Sequence, residues 1–314
     1  LNKINQTIYF SEKFKNKFII ERLIDNFLNE KNSFVFESVE KGKIRGRFTI
    51  FGKNPDKIWE LNNERVISII NDKKKKLKIK PYVFLNKLIE NFNFATPKNL
   101  PPICSLLSGF FSYDIIRYIE NIPNSCNDDL KLPDVRLMRP RSVIIHDNLK
   151  KKIHFIVNCY SDEKINNYKN KFDLIRNDLG KICEYGSVKT NNLFNVVSYE
   201  TIHHMVTEIN GKLKSNISET DIFKALFPGG SITGAPKQRA VEIIDQIETY
   251  SRGIYTGSIG LISNNGNMIF NIAIRTLTLR DSMGVYPVGG GIVWDSEASE
   301  EREEALDKSR VLKQ

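Results

Sequence analysis

Apolar and polar positions alternate with a period of two in several stretches of the chain. Residues 33–39 and 45–52 do so on either side of Lys41-Gly42-Lys43, which predicts two strands joined by a turn. Residues 65–70 predict a further strand. From Pro81 to Phe92 the period changes to that of a helix, with Val83, Phe84, Leu88 and Phe92 on or near one face. The apolar run 106–113 predicts a buried strand, and residues 114–120 a short helix. Residues 135–146 and 153–160 predict two strands that turn at Asp147-Asn148.

The second half is read the same way. Residues 187–197 predict an extended segment, and 200–210 carry the adjacent His203 and His204. Ser218-Glu219-Thr220-Asp221 starts a helix over 222–227 in the manner of a capping box, with Asp in place of the usual Glu or Gln. Next comes FPGGSITGAPK, residues 227–237, whose glycines and prolines predict a loop leading into a helix over 238–247. Pro236 suits a first helical position, where a missing N–H costs nothing. Ser231, Thr233 and the Gly234 N–H precede it and suit an anionic ligand at a helix N-terminus; ordinary capping fits the same residues. Residues 253–263 and 267–279 predict strands around Asn264-Asn265-Gly266, and 285–294 a strand through Gly289-Gly290-Gly291. The last helix, 297–312, is acidic at its start and basic at its end, as the helix dipole favours.

Composition narrows the class. A chain of 314 residues makes one large or two ordinary domains, and 40% hydrophobic with 27% charged residues is the balance of a globular protein. No apolar run is long enough to span a bilayer, and the start at Leu1 lacks a signal-peptide pattern, so a cytoplasmic location without membrane attachment is expected. The net charge of +10 raises nucleic acid as a partner, but the one dense basic run, Lys73 to Lys76, has no interleaved aromatics, which argues against it. Cys104, Cys126, Cys159 and Cys183 show no CxxC spacing and read as reduced thiols.

Several residues could carry chemistry. Glu301 and Glu304 lie three apart on the last helix and share a face, as a pair of Mg²⁺ ligands or as part of a solvated acidic surface. Arg275 sits in an apolar run and therefore faces outward or pairs with a partner such as a ligand carboxylate. Only one of His203 and His204 can face a given side of a strand. Gly289, Gly290 and Gly291 allow close backbone approach to a carboxylate or mark a strand bend.

The motif at 227–237, with DLIRNDLG (173–180), GNM and IAIRT (266–268 and 272–276) and GGGIVWDS (289–296), resembles the chorismate-binding enzymes, component I of anthranilate synthase and of aminodeoxychorismate (para-aminobenzoate) synthase. The N-terminal half is similar to anthranilate synthase component I through residues 36–60, 109–123 and 132–147, while the C-terminal half is more similar to aminodeoxychorismate synthase. The resemblance implies an α/β (α+β) fold, a layered α-β-β-α sandwich of large, mainly antiparallel sheets. It divides the chain into an N-terminal region (1–162), a junction (163–172) where a long family segment is absent, and the C-terminal part of a catalytic domain (173–314).

By the same resemblance His204 assists departure of the substrate hydroxyl, and Tyr255 and Arg275 hold the enolpyruvyl carboxylate. Ser231, Thr233, Gly234 and Gly289 to Gly291 complete the substrate site, Glu301 and Glu304 hold Mg²⁺, and Glu37 and Ser38 bind the inhibitor L-tryptophan. The implied activity is Mg²⁺-dependent addition of ammonia, delivered by a glutamine amidotransferase subunit, to chorismate for tryptophan or folate biosynthesis. Water as nucleophile, giving isochorismate or salicylate, is the alternative enzyme; a non-catalytic remnant that binds tryptophan or a small anion is the alternative of another class. Little synthase activity is expected of a chain without the central segment. A shared carboxylate grip further requires a three-residue loop at 264–266 with Gly266 at positive φ, which would place Tyr255 directly across from Arg275.

Overall fold

A computed structural model describes residues 6–13, 24, 27–38, 46–62, 65–92, 96–160, 217–234 and 236–313. In chain order the first elements are β1 (Gln6–Lys13), β2 (Phe34–Phe36), β3 (Phe48–Asn62), β4 (Arg65–Ile70), β5 (Lys73–Leu77) and α1 (Pro81–Asn91). Then follow β6 (Leu106–Phe111), a 3-10 turn (Tyr113–Tyr118), β7 (Val135–Asp147) and β8 (Lys152–Cys159). The C-terminal elements are α2 (Glu219–Leu226), α3 (Gly230–Thr233), α4 (Lys237–Ile247), β9 (Ser258–Ser263), β10 (Met268–Phe270), β11 (Thr278–Arg280), β12 (Met283–Val285) and α5 (Ala298–Ser309), with a final 3-10 turn (Arg310–Lys313).

The chain makes two compact units, each drawn from three stretches. The first uses residues 1–55, 94–105 and 140–217. Here β1 and the second half of β7 flank β8 in antiparallel pairing, and β2 pairs with the first half of β3. Phe51, Phe155, Ile145, Ile153 and Ile156 are fully buried, and Phe27 meets Phe51 edge-on at 5.4 Å. Asp147, at the end of β7, accepts from Arg47 Nη2 at 2.8 Å and from the backbone N–H groups of Leu149 and Lys150 at 3.0 Å. Together these bonds hold its carboxyl below the usual carboxylate range although burial pushes the other way.

The second unit uses residues 56–93, 106–139 and 218–314. Its strands follow the order β10-β9-β6-β7-β3-β4-β5, a large antiparallel sheet in a mixed α/β setting, which is the fold class expected from the sequence. Leu61, Leu106, Leu107, Leu137 and Ile262 are fully buried on it. Phe111 of β6 stacks on Phe223 of α2 with ring centres 4.6 Å apart, and Phe270 of β10 meets both rings edge-on. Ser218 caps α2 as anticipated: its hydroxyl accepts from Asp221 N, and Asp221 answers at the Ser218 N–H.

Several elements depart from expectation; among them, the strand expected over 267–279 is broken into β10 and β11, and the helix expected over 114–120 is the 3-10 turn. The strand predicted to stop at Gly52 runs on to Asn62, because Asn54 takes a left-handed φ of 53° and absorbs the irregularity that Asn54-Pro55 signals without ending the pairing. The lysine run, for which the sequence predicted no element, is β5 and pairs with β4 through Ile70↔Lys73 to Val66↔Leu77 at the end of the sheet order. Lysines on an edge strand keep it from pairing further. The strand expected over 285–294 is confined to β12, and 286–293 has no regular structure.

Candidate active site

The site is built from one hairpin, one loop and the last helix. In the hairpin, Met268 pairs with Ile262, Ile269 with Leu261 and Phe270 with Gly260. Ser263 N donates to Asn267 O at 2.7 Å and Gly266 N to Ser263 O at 3.0 Å, with Gly266 at φ 82°. This is the three-residue loop expected from the sequence, with glycine where a left-handed residue is needed.

The register continues to Gly257 and Ala273, joined by Ala273 N to Gly257 O at 2.9 Å, and there it ends. Thr256 and Arg275 take left-handed φ values of 61° and 51°. Tyr255 therefore sits in a turn, its N–H donating to Arg252 O at 3.0 Å, and Arg275 lies exposed rather than across from it. The expected pairing of Tyr255 with Arg275 is overturned by these two turns of backbone, not by the loop.

Tyr255 finds different company. A methyl added to Gly289 would lie 2.8 Å from the Tyr255 hydroxyl, so the phenol rests on the bare backbone there. Gly290 faces the last helix: a methyl on it would lie 2.6 Å from Glu301 Oε2 and 3.2 Å from Glu304 Oε2. Helical spacing puts Glu301, Glu304 and Lys308 on one side of α5. Lys308 Nζ donates to Gly289 O at 2.9 Å and pairs with Glu304 Oε1 at 2.8 Å. Ser296 Oγ donates to Glu301 Oε1 at 2.7 Å, while Glu301 Oε2 is buried without a hydrogen-bond partner.

A buried carboxylate oxygen with no donor, beside a second carboxylate and a glycine that leaves room, is an arrangement a small divalent cation would complete. Glu301 and Glu304 thus fit the Mg²⁺ expected of them. Among the described residues no group of three or more His, Cys, Asp or Glu could hold a metal, so the pair on α5 would need water or substrate oxygens to fill the shell.

Beside Tyr255 opens a cavity of about 840 Å³, whose wall includes Tyr118, Asp134, Arg252, Tyr255, Pro287 and Val288. Burial raises the Tyr255 phenol above its ordinary value, opposed by the positive charges of Arg252 and Lys308. Five residues proposed from sequence (Tyr255, Gly289, Gly290, Glu301 and Glu304) thus stand together, and Gly291 adjoins them in the same loop.

The others are placed elsewhere. Ser231, Thr233 and Gly234 belong to the single turn α3 and its end; Gly234 N donates to Gly230 O at 2.8 Å and Thr233 N to Gly229 O at 3.2 Å. Those N–H groups are spent inside the turn, which corrects the reading of Gly234 as a bare donor. Pro236 is the N-cap residue of α4, one position earlier than expected. Glu37, exposed, and Ser38 follow β2 in the first unit. His204 lies outside the described residues. Sequence reasoning missed Lys308 and Ser296. The signal for Lys308 was its place four residues after Glu304 on a helix.

Residues 170–314 match the model of the chorismate binding enzyme family. Over the longer span, the chain is 24% identical to anthranilate synthase component 1 of Acetivibrio thermocellus, in an alignment of 449 residues that takes in 92% of this chain and 91% of that protein. An alignment longer than the 314-residue chain leaves more than a hundred positions of the relative without a counterpart here. Aminodeoxychorismate synthase component 1 of Escherichia coli (strain K12) is 48% identical over 143 residues, 45% of this chain but 32% of that protein. In structure, anthranilate synthase component I from Streptococcus pneumoniae TIGR4 superposes with a TM-score of 0.69 at 19% identity, covering 93% of this chain and 97% of that one, a likeness of fold. Among the described residues no helix is long and apolar enough to cross a membrane.

Proposed function

We propose that the chain is component I of a chorismate-aminating synthase and that chorismate binds where Tyr255, Gly289, Gly290 and Lys308 meet. The observation that carries this reading is the convergence of Tyr255, the glycine loop and the α5 residues Glu301, Glu304 and Lys308 on one patch. Chorismate brings two carboxylates. The Lys308 ammonium supplies a charge-assisted donor for one of them, and the Tyr255 hydroxyl a neutral donor held in place against Gly289. Glu301 and Glu304 would hold Mg²⁺, which supplies charge neutralisation for a carboxylate when bound. Ammonia from a glutamine amidotransferase subunit is the nucleophile, in the cytoplasm, for tryptophan or folate biosynthesis. His204 would assist departure of the hydroxyl, Arg275 would reach the substrate from its exposed turn, and Glu37 and Ser38 would answer to L-tryptophan. The positions of the long relative that have no counterpart here favour weak turnover and keep the second reading, a remnant that binds but does not convert, in view.

Titration calorimetry with chorismate and Mg²⁺, followed by product analysis after adding ammonium, tests the proposal. Chorismate should bind, and Tyr255→Phe or Lys308→Ala should each weaken it about tenfold, the worth of one hydrogen bond involving a charged group. Anthranilate or aminodeoxychorismate should form slowly or not at all. Absence of chorismate binding with Mg²⁺ present refutes the assignment; binding with isochorismate or salicylate as the product replaces it with the water-using alternative.

A further inference from the structure

Arg252 lies over two aromatic rings. Its guanidinium is 4.8 Å from the ring centre of Tyr113 and 5.8 Å from that of Tyr255. Nε donates to Glu248 Oε2 at 2.9 Å and Nη2 to Glu248 Oε1 at 2.6 Å, a two-pronged pair that fixes the plane of the group. Nη1 donates to Thr256 Oγ1 at 3.3 Å, and the Thr256 hydroxyl in turn donates to Tyr255 O at 2.6 Å. The Arg252 side chain is only 12% exposed.

The backbone closes the same circle. Tyr255 N donates to the Arg252 carbonyl, and Gly253 N donates to Asp114 Oδ2 at 3.1 Å. Arg252 therefore touches the ring of Tyr255, the residue that follows it and the turn that precedes it. Thr256 pays for this with a left-handed φ of 61°, a conformation that persists only where the surroundings impose it.

We infer that Arg252 is a positioning residue: it holds the Tyr255 ring so that the hydroxyl rests on Gly289, within reach of whatever Lys308 and the glycine loop bind. The inference rests on the reading of Tyr255 as a ligand-contacting residue. Tyr113 is the second ring against the guanidinium; burial pushes its phenol up to about 12, so that it stays neutral beside the cation. The charged groups facing the Tyr255 phenol are Arg252 and Glu248 from its own side and Lys308 from α5. Loss of Arg252 removes one of these two cations and leaves the Glu248 carboxylate uncompensated. Both changes disfavour the phenolate.

The test uses the full chain labelled with 3-fluorotyrosine, the ¹⁹F signal of residue 255 being assigned by its loss in Tyr255→Phe. Arg252→Gln should move that signal and raise its titration midpoint by about one pH unit, the scale of losing an adjacent opposite charge. Arg252→Lys, which keeps the charge and loses the fork, should move the signal with a smaller rise, and it decides the matter if the Gln variant does not fold. Chorismate affinity should fall about tenfold in Arg252→Gln, and Tyr255→Phe added to it should cost nothing more, as for two residues acting through one contact. A residue-255 signal unchanged in position and midpoint in both variants, with native circular dichroism, overturns the inference. If Tyr255→Phe binds chorismate as tightly as the parent, the functional reading fails while the ¹⁹F titration still decides whether Arg252 positions the ring.

Discussion

Gly290→Ala should separate the metal from the fold. Gly290 does not have a left-handed φ, so the added methyl, not the backbone, is the perturbation. That methyl would lie 2.6 Å from Glu301 Oε2, and an ordinary contact requires the oxygen to withdraw by about 0.8 Å, against a tolerance of about 0.2 Å in metal–ligand distance. Withdrawal is resisted by the Ser296 hydroxyl, which holds Glu301 Oε1 at 2.7 Å. Losing that bond would cost about 1.5–3 kcal/mol, partly offset by the stabilisation of about 0.4–1 kcal/mol that Gly→Ala brings through the unfolded chain. The melting temperature without metal should therefore change by only a few degrees. Mg²⁺ affinity should fall about 10- to 100-fold, that is by about 1.4–2.7 kcal/mol, since Mg²⁺ demands near-ideal geometry. Calorimetry with Mg²⁺, or electron paramagnetic resonance with Mn²⁺ as its substitute, reads this directly, and Glu304→Gln serves as the charge-removal control. Equal metal affinity in parent, Gly290→Ala and Glu304→Gln would refute the assignment of this pair of carboxylates.

Two further outcomes test the framework. Phe111→Ala opens the stack that joins β6, α2 and β10 and should cost about 3–5 kcal/mol, seen as a lower urea midpoint; a loss under about 1 kcal/mol would show that the three rings do not support one another. Because Asp147 titrates below its unfolded value of about 3.9, its contribution to stability is complete above that pH and is lost as the pH falls through the folded value. Asp147→Asn should thus lower the melting temperature near neutrality and flatten its decline below about pH 4; parallel melting curves on the acid side would contradict the role given to Arg47.

Where local chemistry and the fold agreed, the sequence was legible. The capping box at Ser218, the helix from Pro81 and the loop at 264–266 all use short-range signals that the structure keeps. The failures have a common physical root in longer-range packing. Asn54-Pro55 carries turn chemistry, yet the neighbours of β3 hold the strand together across it. The lysines of β5 have low strand preference and pair because β4 offers an edge. At the site, motif residues pointed to Tyr255 and the two glutamates, but not to what binds them together. Lys308 belonged to the basic end of a helix, and Arg252 carried no signal; only their bonds to Gly289 and Glu248 give them a place. Arg275 shows the opposite error, since extending a correct register by two residues ignored the backbone at Thr256.

The pairing that flanks the loop after β9 also restricts how this region can vary by descent. A one-residue slip of β10 against β9 would swing Phe270 away from Phe111 and Phe223, so residues gained or lost at 264–266 have to be absorbed within the loop while Met268 stays opposite Ile262.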